Sequence, residues 1–104
     1  MTPEQELQRG AEARRWLDDP LFKAARDDVY GQLQAARRAA STTDVLLHSK
    51  LILMEQVADR FFGFFEQIAQ TGKFARLELD RQDQTRSREA ARMAAYFQGG
   101  RAGI

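Results

Sequence analysis

A chain of 104 residues with no cysteine and a formal net charge of +1 excludes disulfide staples and thiolate metal centres and leaves room for at most one domain. Its two prolines both lie within the first twenty residues, and Ala, Leu, Gln, Glu and Arg dominate the rest, which predicts an all-α domain. The near-zero charge hides an uneven distribution: residues 72–104 hold seven basic and four acidic side chains, whereas residues 1–30 hold five and seven.

Thr2-Pro3-Glu4 has the chemistry of a helix start, with Thr2 as cap and Pro3 at the first position. Leu7, Ala11, Arg14 or Arg15 and Leu17 then describe a short, weakly amphipathic helix anchored by Trp16-Leu17. Asp18-Asp19-Pro20 ends it and opens the next, because Asp19 suits a cap and Pro20 a first helical position. From Pro20 to about Ala40 a stripe of Phe22, Ala25, Val29, Leu33, Ala36 and Ala40 recurs at threes and fours. Ala24, Ala25, Ala35, Ala36, Ala39 and Ala40 are small enough for a close approach to the helix that follows, while Gly31 costs about 1 kcal/mol against Ala. Ser41-Thr42-Thr43-Asp44 is a cluster of turn and cap formers, which predicts an αα-hairpin.

The long helix of that hairpin is expected over about 43–71. Leu47, Leu51, Met54, Ala58, Phe61, Phe65 and Ile68 alternate at steps of four and three, and Leu46, Leu53, Val57 and Phe64 form a second apolar line about 100° round. Such an arc is wider than one antiparallel neighbour covers, so Leu46, Leu47, Leu51, Leu53, Met54, Val57, Phe61, Phe64, Phe65 and Ile68 are assigned to an oligomer interface. A ring of several subunits is expected. Gly72 suits the residue just past a helix end; residues 73–79 alternate and read as extended or as a helical restart, and residues 81–88, with no apolar member, read as a solvated linker or a frayed helix. Residues 1–79 thus read as a single helical domain and 80–104 as a basic, partly flexible tail. Within that tail Ala90, Met93, Ala94 and Phe97 share a face and predict a short partner-binding helix. Gly99 to Gly103 reads as a flexible end.

No catalytic pattern emerges. His48, Glu55, Asp59 and Glu66 fall on one polar side, but their spacings set neighbours about 6 to 10 Å apart along the helix, too far to converge on one metal ion. The four phenylalanines around Gly63 suit a core or a subunit interface, and Gly63 itself suits either a kink or a tolerated exposed glycine. Lys50 interrupts the apolar arc and predicts a snorkelling side chain or an intersubunit carboxylate. Thr71-Gly72-Lys73 lacks the glycine and hydroxyl of a phosphate-binding loop. The serines have no histidine and acid set around them. Neither metal nor cofactor is called for. Lys73, Arg76, Arg81, Arg86, Arg88 and Arg92 are the only concentration of cations, suited to weak, salt-sensitive and sequence-indifferent contact with double-stranded DNA. The start MTPEQELQRG has no signal-peptide pattern and no apolar run is long enough to cross a membrane, so a cytoplasmic protein is expected.

The run from Ala13 through Asp19-Pro20-Leu21-Phe22, the helix ending in a Thr-Asp turn, Leu51 to Met54 and Thr71-Gly72-Lys73 together resemble small terminase subunits of tailed phages and phage-derived gene transfer agents. The resemblance covers roughly residues 9–79 and lies in helix lengths and turns. It implies a helical hairpin that forms a ring, DNA contact, and a C-terminal segment that engages the large terminase ATPase in the host cytoplasm. About nineteen residues precede Pro20, too few for the helix-turn-helix reader of that family, so the DNA contact implied is non-specific. The expected function is that of a non-enzymatic DNA-packaging adaptor. The alternative is a small phage-type regulatory or inhibitory protein that binds a host protein through a helical face.

Overall fold

Thr2 opens the first helix. Its hydroxyl accepts from the Gln5 N–H at 3.2 Å while Gln5 Oε1 accepts from the Thr2 N–H at 3.0 Å, a reciprocal capping box that satisfies two end donors. Helix α1 (Pro3–Asp18) stops at Asp19, which stays extended and turns its carboxylate to the Phe22 N–H at 3.0 Å. It is thus the cap of α2 (Pro20–Ala39). After the Ser41–Asp44 turn, the Asp44 carboxylate accepts from the Leu47 N–H at 3.1 Å and starts α3 (Val45–Ala102). The computed structural model describes residues 1–102, with burial described through residue 98. All secondary structure among them is helical.

The expected helix end at Gly72 does not occur: α3 runs on without a break through Gly72, through residues 73–79, which are helical and not extended, and through the polar stretch 81–88. The end expected to be flexible is helical backbone through Ala102, and Gly103 lies outside the described residues. Gly72 has another role. A Cβ on Gly10 would stand 2.6 Å from the Gly72 Cα, and one on Gly72 would stand 2.7 Å from the Gly10 Cα. Two helix backbones therefore touch at this pair, a contact that only glycine permits.

Helices α1 and α2 lie end to end along α3, both antiparallel to it. Their contacts run in inverse order, with Gly10 at Gly72, Ala13 and Leu17 at Ala69, Tyr30 at Asp59 and Arg37 at Glu55. The molecule is thus an αα-hairpin with one arm broken once, at Asp19, and its extents are 91 × 26 × 20 Å. Two small clusters hold it together. Leu33, Leu51, Ala58 and Phe62 form one under α2, and Ala13, Leu17 and Ala69 form the other under α1. Phe22 packs against both, its ring 5.0 Å from Phe65 and 5.7 Å from Phe62 by centroid.

The close helix approach expected of α2 belongs to α1. Ala24, Ala25, Ala35 and Ala39 are exposed, and α2 is held off by Phe22, Tyr30, Leu33 and Phe62. On α1 the buried stripe is Gly10, Ala13 and Leu17. It is displaced from the expected one, with Ala11 exposed and Trp16 half exposed against Phe22 and Phe65. From residue 83 to residue 98 every side chain of α3 is exposed. This overhang has no neighbour.

Candidate assembly interface

A two-helix hairpin can cover only one side of each helix, and α3 carries apolar residues over about half its circumference. The outcome is a division of the expected interface residues. Leu51 is buried in the hairpin core, and Phe65 and Ile68 pack against the α1 cluster. These three are committed within the chain. Leu46, Leu53, Met54, Val57, Phe61 and Phe64 are each more than half exposed, and Leu47 is 37% exposed. They lie beside the buried seam and form a continuous apolar flank. Val29 of α2 adjoins it, lining one open groove with Met54, Val57 and Phe61 over Ala58 and Phe62.

Ala69, which the expected stripe omits, and Phe62, one of the four phenylalanines suited to a core or a subunit interface, are both buried at the centre of the hairpin. The signal was present: from Leu51 a step of seven reaches Ala58, and Phe62, Phe65, Ala69 and Gly72 follow at alternating fours and threes. That seam lies about 40° from the expected one, close enough to share Leu51, Ala58 and Phe65.

The opposite flank carries two polar ties between α2 and α3, on the side of α3 where Ile52, Phe74 and Leu77 are exposed. Tyr30 Oη donates to Asp59 at 2.6 Å, and Arg37 Nη1 donates to Glu55 at 2.6 Å. The hydrogen bond to Asp59, with partial burial and the Asp59 and Glu55 charges adding to it, pushes the Tyr30 phenol up to about 12. His48 Nε2 lies 3.0 Å from the Ser41 carbonyl. Glu55, Asp59 and His48 are thus spent on separate partners, and no three metal-ligating side chains converge among the described residues. Lys50 is exposed within the apolar flank. Nothing lies within 4 Å of a Cβ built on Gly63, and α3 has no break there.

The cations assigned to DNA spread around α3. Arg81, Arg88 and Arg92 share a side through spacings of seven and four, while Arg86 falls roughly opposite. Arg81 is paired bidentately with Glu78 at 3.0 and 2.6 Å. That contact holds the Glu78 carboxyl below its ordinary range and raises the guanidinium. Ala90, Met93, Ala94 and Phe97 do share one face, on the overhang, with Met93 and Phe97 more than half exposed. Among the described residues no helix is long and apolar enough to cross a membrane. Comparison with profiles of known protein families, with curated proteins and with solved structures finds no match.

Proposed function

We propose that this chain is a non-enzymatic, self-assembling helical adaptor, small-terminase-like in role. Copies join through the apolar flank of α3, double-stranded DNA is contacted weakly and without sequence preference, and the overhang with Met93 and Phe97 engages a large terminase ATPase. The single observation that carries self-assembly is the exposed row Leu53, Met54, Val57, Phe61 and Phe64, a cluster of large apolar side chains of the kind that marks an interaction surface. The packaging role rests on the resemblance over residues 9–79.

Titration with double-stranded DNA at about 50 mM salt tests that role, because release of counterions from the phosphates is most favourable there. Binding that disappears by about 200 mM salt is the expected result. No binding at low salt, together with a monomeric mass in light scattering, would favour the regulatory reading, in which the same flank covers a host protein. Capture of a large terminase by the full chain, lost in Met93→Glu, is expected on the packaging reading.

A further inference from the structure

We draw no further inference here: the strongest candidate, the open apolar groove between α2 and α3 walled by Val29, Met54, Val57 and Phe61, belongs to the face already described, and nothing in the structure shows which surface covers it.

Discussion

Tyr30 shows how one side chain ties α2 to α3. Its hydroxyl serves Asp59 from a distance of 2.6 Å, and loss of the phenolic proton would set two negative oxygens against each other beside Glu55. The folded chain therefore holds that proton more tightly than the unfolded chain, up to about 12. The sign of the linkage follows: the contact stabilises fully below the unfolded value of about 10 and is lost as the pH rises toward the folded value. The chain has two tyrosines, so a Tyr96→Phe variant isolates Tyr30 in a spectrophotometric titration. A midpoint near 12 is expected, moving down to about 10 in denaturant. Tyr30→Phe is expected to remove that alkaline loss of stability, and an identical alkaline melting profile in Tyr30→Phe and wild type would contradict it.

Among the elements, the glycines separate two kinds of helix position. Gly63 has open space around its missing Cβ, so Gly63→Ala is expected to add about 1 kcal/mol of helix propensity and raise the melting temperature by about 4–8 °C. At Gly10 the same change drives a methyl group into backbone that cannot give way, and a loss of about 1–3 kcal/mol is expected as α1 is pushed off α3. Thermal melts of the two variants decide this, and a stabilised Gly10→Ala would show that α1 does not dock as described. The same pair marks what was legible beforehand. The caps at Thr2, Asp19 and Asp44 and the break at Pro20 are local chemistry and were readable residue by residue. Gly72 was not, because a glycine that ends a helix and a glycine that admits another backbone look alike until Gly10, sixty-two positions away, is placed beside it. Most of the apolar arc of α3 was likewise visible, but periodicity measures only its width. Whether Phe62 or Phe61 faces the chain's own α2 depends on a shift of the seam by about 40°, which Tyr30, Leu33 and Phe22 settle through packing. Of the candidate interface, the split between members that stay exposed and Leu51, Phe65 and Ile68, which are committed to the hairpin, was not legible.

At the scale of the whole molecule, the load is carried unevenly along one 58-residue helix. The part between Leu51 and Ala75 is clamped by α1 and α2, while residues 83–98 touch neither. An isolated segment of that length would be a poor helix in water, because starting the first turn is costly. Here the clamped part has already borne that cost, so the overhang continues an existing helix and needs only propagation, which Ala, Arg, Gln and Glu support. Helicity without packing is nevertheless lost from the open end inward, at small free energy per residue. Amide hydrogen exchange is therefore expected to slow progressively from residue 98 back to 83 and then to drop abruptly in rate near Leu79, where α1 begins to cover α3. Uniform protection across 83–98 in the protein alone would mean that something already covers the overhang. The fold thus stores a gradient of order along a single uninterrupted helix: the half that holds the molecule together is fixed, and the half that reaches outward keeps its shape only as long as its root does, so a partner that grips the tip would report its capture to the clamp as added rigidity.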